Sequence, residues 1–345
     1  MRNTLLLTAI VSLSLTATTS AQVVARDAFP YTGALTSNGW AAHSGAGNKV
    51  VMANGTHATL NQSTGSGEDV SLSFTPFGAT DKIFASFRLR VPSGNPVNPL
   101  ATGNYFAHFK DATTSFRART GVLAPAAAGD FGLGINADNS NLGAGVVWPQ
   151  DLAFDTWYAV VISWDAATGT SELWLNPSCG NAPSITHTGT FTGTLMSGFA
   201  LRQASDYTGF QHVDDVIVGR SFGDVLPGTG TFSVSCASCA GLTQTATGSP
   251  NVGGTAYYSV PGATAIILGV SNICLQICPA GCNLGTDTTV VIFAADFSLQ
   301  VPCLPNLISA TVYTQGVSVG AGGCNPSVFG VALATSDTIK TVIGS

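Results

Sequence analysis

The chain has 345 residues and a formal net charge of −6; 45% of its residues are hydrophobic and only 9% are charged. An average soluble domain has roughly 25% charged residues, and here 40 glycines, together with Ser, Thr and Asn, take their place. The apolar content excludes a disordered chain, which combines low hydrophobicity with high charge, and the acidic balance argues against nucleic acid as a partner.

The first 21 residues have the pattern of a secretory signal peptide. Arg2 is followed by an apolar run over residues 5–15 and by small residues up to Ala21, which is the order of regions in such a leader. The run is shorter than the about 18 apolar residues of a membrane span, and no other segment reaches that length. We therefore expect residues 1–21 to be removed and the mature protein to be secreted, extracellular or at the cell surface.

Residues 22–225 show strand periodicity and almost no helical periodicity. The clearest case is the segment 157–176, in which Tyr158 and Trp164 belong to one alternating apolar face before a turn that ends at Gly169. Trp157 and Trp164 of this segment are interpreted as packing residues of the core. This period of two on both sides of a turn predicts a half-buried hairpin. Similar runs predict strands at 70–74, 82–91, 105–111, 116–120, 131–136, 158–165, 171–176 and 213–219. Short strands at this spacing predict an all-β sandwich or jelly roll.

A break follows at residues 226–231, where Pro and Gly precede a sharp rise in cysteine content. We interpret this segment as a linker. Beyond it, apolar runs predict strands at 256–260, 264–270, 288–294, 307–319 and 328–334. Residues 232–345 are therefore expected to form a second, smaller β-sandwich that depends on crosslinks, because a small domain buries little surface.

The crosslinks are expected to be disulfides, because an even number of cysteines in an exported chain favours pairing. Seven of the eight cysteines lie in the second domain: Cys236, Cys239, Cys274, Cys278, Cys282, Cys303 and Cys324. The sequence does not give their connectivity, and it leaves open whether Cys179 is paired. A redox pair or half a zinc site at Cys236 and Cys239 is the alternative, but no βαβ pattern surrounds them.

Several short segments carry a resemblance to a known family. In residues 26–225, the segments at 27–31, 38–45, 105–112, 116–119, 157–176 and 213–219 resemble, in this order, the concanavalin A-like, laminin-G-like jelly rolls of exported bacterial proteins. The last domain resembles a small C-terminal β-domain of exported planctomycete-type proteins, on the segments 248–254, 267–271, 281–282 and 341–344. The first resemblance implies a jelly-roll fold that hosts both binding proteins and enzymes; the second implies no activity.

The chain lacks the carboxylates that polysaccharide hydrolysis requires. Retaining hydrolysis needs two carboxyl groups about 5 Å apart, but Glu68 and Glu172 stand in unrelated segments. Adjacent acidic residues, such as Asp214 and Asp215, point to opposite faces of a strand. No nucleophilic serine or cysteine motif is present. We therefore assign no catalytic residue and expect no catalytic cofactor.

A cluster of cations is the main candidate for a binding site. Five of the 12 Lys and Arg residues lie within residues 88–119: Arg88, Arg90, Lys110, Arg117 and Arg119. Alternation places them on the polar faces of three successive strands, with His108 on the face of Lys110. If these strands are neighbours, they form a basic patch that attracts anionic sugars. The alternative is that the cations form ion pairs with Asp111, Asp130 and Asp138 or lie at the rim of a solvated sheet face.

Two further candidates concern an aromatic residue and a metal. Trp148 lies in a loop and is a candidate for stacking on a sugar ring; the alternative is that it caps the sandwich. Asp27 and Asp215 lie near the first and last strands of the jelly roll, where a structural calcium ion could bind, although two carboxylates fall short of the six to eight oxygens that calcium prefers. The five histidines show no zinc spacing.

The function expected from the sequence is non-catalytic binding of a polysaccharide or cell-surface glycan. Two alternatives remain. The first is a lyase or hydrolase that acts on an anionic polysaccharide; a lyase needs a Tyr or His base beside a group that neutralises the carboxylate, and regular alternation turns Tyr105 away from His108. The second is a purely structural envelope or matrix protein.

Overall fold

A computed structural model describes residues 23–62, 65, 67–94, 104–180, 182–204, 209–226, 228, 230–237, 241–277, 283–324 and 332–344. The predicted signal peptide lies outside the described residues. The chain divides into two compact units, residues 22–227 and residues 228–345.

The first unit contains a nine-stranded antiparallel sheet, with strands numbered in chain order. Its spatial order is β14 (Ser184–Thr188), β13 (Thr170–Leu175), β12 (Tyr158–Asp165), β7 (Lys82–Arg90), β16 (Phe210–Gly219), β5 (Ala58–Asn61), β4 (Met52–Asn54) and β2 (Thr32–Ala34), and β1 (Val23–Asp27) pairs with β16. The predicted hairpin is present as β12 and β13, which pair from Val160 and Leu175 to Asp165 and Thr170.

The same unit contains a seven-stranded antiparallel sheet. Its spatial order is β11 (Val146–Val147), β10 (Gly132–Asn136), β9 (Phe116–Leu123), β8 (Asn104–Lys110), β15 (Gly198–Leu201), β6 (Asp69–Ser73) and β3 (Trp40–Ser44). A single helical turn, α1 (Phe222–Val225), follows β16.

The inner faces of the two sheets form one hydrophobic core. Phe87 on β7 lies between the rings of Phe106 on β8 and Phe199 on β15, with centroid distances of 5.8 and 5.9 Å. Large side chains from both sheets are fully buried here, including Trp164. Because the core takes every second residue of the strands, the residues between them lie on the two outward faces of the sandwich.

The second unit is also all-β. A six-stranded sheet has the order β17 (Thr231–Cys236), β27 (Thr338–Val342), β25 (Thr311–Cys324), β20 (Ala265–Gly269) and β23 (Val290–Ile292), and β26 (Leu333–Thr335) pairs with β25. A three-stranded sheet has the order β18 (Thr245–Gly248), β19 (Thr255–Ser259) and β24 (Asp296–Gln300), and β21 (Asn272–Gln276) pairs with β22 (Asn283–Thr286). Tyr258 stacks on Phe297 at 4.8 Å in a core that both larger sheets share.

One predicted crosslink is present in the described residues. A disulfide joins Cys236 at the end of β17 to Cys274 in β21, with a Cα–Cα distance of 5.8 Å, so it ties the edge of the six-stranded sheet to the two-stranded ribbon. Cys239, Cys278 and Cys282 lie outside the described residues, and of Cys324 only the backbone is described. The all-β prediction, a jelly-roll sandwich followed by a smaller disulfide-bonded sandwich, is confirmed.

The Cys236–Cys274 bond should stabilise the second unit. It spans 38 residues of chain, and restricting a loop of that length in the unfolded state is worth about 2–4 kcal/mol. We expect the double variant Cys236→Ser/Cys274→Ser to show faster amide hydrogen exchange across β17, β27 and β25 in the full chain. Exchange in β12 of the first unit serves as the internal control. Unchanged exchange in all three strands would contradict the prediction.

Candidate functional site

The outward face of the seven-stranded sheet carries a cluster of polar and aromatic side chains. Two β-bulges between β8 and β9 decide which residues reach it. Tyr105 pairs with Gly121 and Ala107 with Thr120, so β8 has one residue more than β9 over this step. The extra residue reverses the alternation of the strand, and the ring centroids of Tyr105 and His108 lie 5.3 Å apart. The sequence-based expectation that Tyr105 points away from His108 is therefore wrong.

His108 forms the centre of this cluster. Its side chain is 0% exposed, and its ring lies 4.6 Å from the ring of Phe116 and 6.1 Å from that of His43. Strands β15 and β6 separate β8 from β3, which carries His43. Their paired residues opposite His108 are Ala200 and Ser71, and these small side chains leave room for the two imidazole rings to approach each other.

Two guanidinium groups flank Tyr105. The guanidinium carbon of Arg119 lies 5.2 Å from the centroid of the Tyr105 ring, and that of Arg202 lies 4.4 Å from it. Arg119 also lies 5.6 Å from the ring of Phe116 and donates a hydrogen bond from Nη1 to the carbonyl of Asp138 at 2.6 Å. Such contacts with aromatic faces hold a cation in place without neutralising its charge.

We refer to His43, Tyr105, His108, Lys110, Phe116, Arg119 and Arg202 as the basic face. Within the described part of the chain, none of its three cations forms an ion pair with a carboxylate; the ion pairs found there involve Lys82, Arg88, Arg90 and Arg220. Lys110 donates instead to the carbonyl of Asp111, at 2.7 Å. Among the described residues, no ion pair therefore neutralises the positive charge of this face.

The aspartates that the sequence suggested as ion-pair partners have other roles. Asp111 accepts hydrogen bonds from Thr113 and Ser115. Asp138 accepts them from the backbone and hydroxyl of Thr190. Asp130 accepts from the Phe154 amide. These carboxylates stabilise turns and form no ion pair among the described residues, although Asp138 attracts the charges of Arg117 and Arg119.

Burial and neighbouring cations set the protonation of the basic face. The pKa of His108 lies well below its usual value, because burial disfavours the charged ring and because His43, Arg119, Arg202 and Lys110 repel a proton. Burial also lowers the pKa of His43. Among the described residues, neither ring nitrogen of His108 has a hydrogen-bond partner. His108 is therefore neutral at pH 7 and supports the face from below rather than touching a ligand.

The five cations predicted to form one patch are divided between the two sheets. Arg88 and Arg90 lie on β7, which pairs with β12 and β16 in the nine-stranded sheet. Arg88 forms an ion pair with Asp214 at 3.6 Å, and Arg90 forms one with Asp155 at 3.1 Å. The chain crosses to the other sheet between β7 and β8, a change that strand periodicity alone does not reveal. For Arg88 and Arg90 the ion-pair alternative holds, with aspartates that the sequence did not suggest.

Arg117 points away from the basic face. Its guanidinium carbon lies 5.6 Å from the ring of the core residue Trp164 and 4.7 Å from that of Phe191. Nη2 donates to the hydroxyl of Thr194 at 3.2 Å, and the side chain is only 6% exposed. Ala118 follows with a positive φ of 50° in the second bulge. Arg117 therefore contributes to packing at the edge of the sandwich.

Trp148 and Asp27, two further candidates from the sequence, both make contacts within the sandwich. Trp148 follows β11 and packs, partly buried, against the core, which matches the alternative that it caps the sandwich. Asp27 lies opposite Val216 in the pairing of β1 with β16, next to Asp215. The carboxylate of Asp27 already accepts hydrogen bonds from the Tyr31 hydroxyl at 2.6 Å and the Trp40 indole at 2.7 Å.

Across the described ranges, no group of three or more His, Cys, Asp and Glu side chains is arranged to hold a metal ion. No helix in the described part of the chain has the length and apolar character needed to cross a membrane.

Comparison with protein-family models and with curated proteins finds no match. Among solved structures, the chain is similar to a sialidase (13% identity, TM-score 0.38, 59% of this chain and 19% of the other). It is also similar to lectin II from Ulex europaeus (12% identity, TM-score 0.36, 58% of this chain and 98% of the other). A third similar structure is alginate lyase vAL-1 from Chlorella virus (12% identity, TM-score 0.31, 55% of this chain and 99% of the other). The chain thus spans about a fifth of the sialidase's length. Because one fold hosts many functions, the side chains of the site must carry the functional argument.

The burial of His108 should make stability fall in weak acid. The unfolded chain takes up a proton as pH falls through about 6.5, whereas the folded chain does not, so protonation favours unfolding. His43, His57 and His212 have lowered pKa values and act in the same direction. We expect the melting temperature to drop between about pH 7 and pH 5, and the variant His108→Phe to show a weaker drop.

Phe116→Leu provides a matched control, because it disturbs the same ring cluster without changing a titratable group. It should lower the melting temperature and leave its pH dependence as in the parent protein. A His108→Phe protein with the full pH dependence would show that His108 is not the group responsible. Differential scanning calorimetry of the full chain at several pH values measures both quantities.

Proposed function

We propose that this protein binds an anionic glycan on the basic face of its first unit and that it does so outside the cell, after export. The observation that carries the proposal is the set of three cations, Lys110, Arg119 and Arg202, that form no ion pair among the described residues. Arg119 and Arg202 lie against the ring of Tyr105, whereas Lys110 is largely buried. No catalytic pair of carboxylates accompanies them there.

An acidic polysaccharide offers two groups that complement this face, negative charges for its cations and sugar rings for its aromatic side chains. Its carboxylate or sulfate groups provide the missing negative charge, and a guanidinium group binds such groups through two parallel hydrogen bonds. Its sugar rings present C–H groups that pack on the negative faces of aromatic rings such as Phe116. Because the whole chain has a net charge of −6, attraction of a polyanion must arise locally, at this face.

The variants Arg119→Met and Arg202→Met test this function. A hydrogen bond to a charged group contributes about 1.5–3 kcal/mol, so each variant should weaken binding of an acidic polysaccharide about 10- to 100-fold. Binding should also weaken as salt rises, because ions screen the attraction. Arg26→Met is the matched control: it removes the same charge from an exposed position on β1.

The measurement is a glycan array followed by calorimetric titration with uronate-containing, sulfated and neutral polysaccharides. The full chain should bind acidic polymers and lose them on substitution of Arg119 or Arg202 but not of Arg26. If the parent protein binds no acidic glycan, or if all three variants bind equally well, the proposal fails and the structural alternative gains support.

A polysaccharide lyase is a second candidate, and one observation favours it. The bulge in β8 brings the Tyr105 ring against His108 and between two guanidinium groups, which removes the sequence-based objection to this chemistry. In such an elimination, Arg119 and Arg202 neutralise the uronate carboxylate and a base takes the proton next to it. The bond to the leaving oxygen breaks, that oxygen gains a proton, and a carbon–carbon double bond forms.

Tyr105→Phe separates the two functions. If the protein is a lyase, it generates unsaturated uronate ends that absorb ultraviolet light. The variant, which lacks the hydroxyl that exchanges protons with the substrate, should then form none while still binding the polymer. If the parent protein binds a polyuronate and releases no unsaturated product, the lyase candidate is wrong and binding alone remains.

A further inference from the structure

A second cluster occupies the outward face of the nine-stranded sheet. Strands β7 and β16 supply it together with the residues that immediately precede β5 and β12. Leu89 on β7 and Val213 on β16 pair with each other in the core, so the residues beside them, including Arg88 and His212, lie outward. The same alternation places Trp157 on the outward side of β12, since Tyr158 and Val160 pack with the core.

Three flat rings and one guanidinium group form a continuous row on this face. The ring centroids of His212 and His57 lie 4.2 Å apart at an angle of 30°. His57 meets the ring of Trp157 at 5.8 Å, edge to face, and the guanidinium carbon of Arg88 lies 5.0 Å from the same indole. We call these residues the histidine–tryptophan row.

Hydrogen bonds hold His57 in this position. Its Nε2 lies 3.2 Å from the side-chain nitrogen of Asn54, and its Nδ1 lies 3.0 Å from the hydroxyl of Thr56. Asn54 in turn accepts from the backbone amide of His57 through its side-chain oxygen at 3.1 Å. The turn between β4 and β5 therefore presents the imidazole ring in a fixed orientation before any ligand arrives, which lowers the entropic cost of binding.

The row is electrically neutral, unlike the basic face. Arg88 is paired with Asp214, and Arg90 with Asp155. Burial, with repulsion from His57 and Arg90, lowers the pKa of His212 to about 4, although Asp155 opposes the shift. Burial and Arg90 lower the pKa of His57. At pH 7 both imidazoles are uncharged and each of the two arginines has a carboxylate partner. Asp215 adds a carboxylate near Asp214, and burial together with this charge raises the pKa of Asp214.

Trp157 remains partly in contact with water. The sequence suggested that it packs in the core with Trp164, but Trp164 is fully buried whereas Trp157 is half-buried and is absent from the hydrophobic clusters of the described residues. A large aromatic side chain flanked by polar groups on an outward face is a typical element of a binding surface.

We propose that the histidine–tryptophan row is a second ligand site and that it binds a neutral sugar ring of an oligosaccharide. The indole and imidazole faces pack against the C–H groups of the ring. The carboxylates of Asp155 and Asp214, held by arginines, accept hydrogen bonds from sugar hydroxyls, and the arginines donate to them. A polyanion is disfavoured, because these carboxylates face it. This site rests on residues separate from those of the basic face.

The two sites occupy the outward faces of two different sheets in the same sandwich. One unit can therefore hold an acidic chain on one face and a neutral chain on the other, which bridges two polysaccharides without a second protein molecule. This consequence depends on the function proposed for the basic face, whereas the neutral-sugar site does not.

Saturation-transfer NMR with the full chain tests the site directly. The probes are neutral disaccharides of glucose, galactose, mannose and xylose at millimolar concentration. At least one should receive saturation from the protein, and Trp157→Ala should weaken that binding at least about tenfold. Arg88→Met, which keeps the indole but removes its stacked cation, is a milder second variant and should also weaken it. Circular dichroism checks that both variants are folded.

Arg119→Met is the control from the other face: it should leave neutral-sugar binding unchanged, and Trp157→Ala should leave binding of acidic polymers unchanged. Neutral-sugar binding should fall as the pH approaches 4, where His212 gains a proton. If no neutral sugar receives saturation, or if folded Trp157→Ala and Arg88→Met bind it as the parent does, the row is not a sugar site, whatever the result for the basic face.

Discussion

One extra residue in β8 determines the chemistry of an entire sheet face. Without the bulge between Tyr105 and Ala107, strict alternation places Tyr105 in the core and Phe106, which has no polar group, beside His108 on the outward face. With the bulge, both rings lie on the outward face, and two guanidinium groups pack on Tyr105. A bulge weakens strand pairing locally, so its presence at the centre of the most basic surface favours a functional role for it.

The basic face is costly for stability, which supports the same conclusion. His108 is fully buried, and neither of its ring nitrogens has a hydrogen-bond partner among the described residues. Leaving a buried polar group without a partner costs about 1–3 kcal/mol, and repulsion from Arg119, Arg202 and Lys110 adds to the cost whenever the ring gains a proton. A residue needed only for packing, such as Leu or Phe, fills this position without that penalty. Buried polar groups that break this rule are expected at functional sites.

The sequence predicts several long strands closely, misses short ones such as β2, β4 and β15, and predicts the neighbours of each strand poorly, for a physical reason. Periodicity reports which side chains share a face, so β7, β8, β12 and β13 lie within one residue of the predicted positions. Periodicity does not report which sheet a strand joins. The prediction that Arg88 and Arg119 share one patch is wrong for that reason, because β7 and β9 belong to different sheets. Arg202 was missed because it stands alone in the sequence, beyond β15, and only the sheet order brings it to Tyr105.

The assignment of Trp157 to the core was an avoidable error. The alternation that assigns Tyr158 to the core face already assigns its neighbour to the outward face, and the structure agrees.

The pairing of charges, more than their number, distinguishes the two outward faces. Each carries arginines beside aromatic rings, yet on the nine-stranded sheet Asp155 and Asp214 neutralise them, and on the seven-stranded sheet the nearby aspartates are committed to turns. In a chain with only 9% charged residues, the placement of a few carboxylates is enough to make one face attract anions and leave the other neutral. The difference in ligand preference that we propose for the two faces therefore follows from which aspartates pair with arginines and which accept hydrogen bonds within loops.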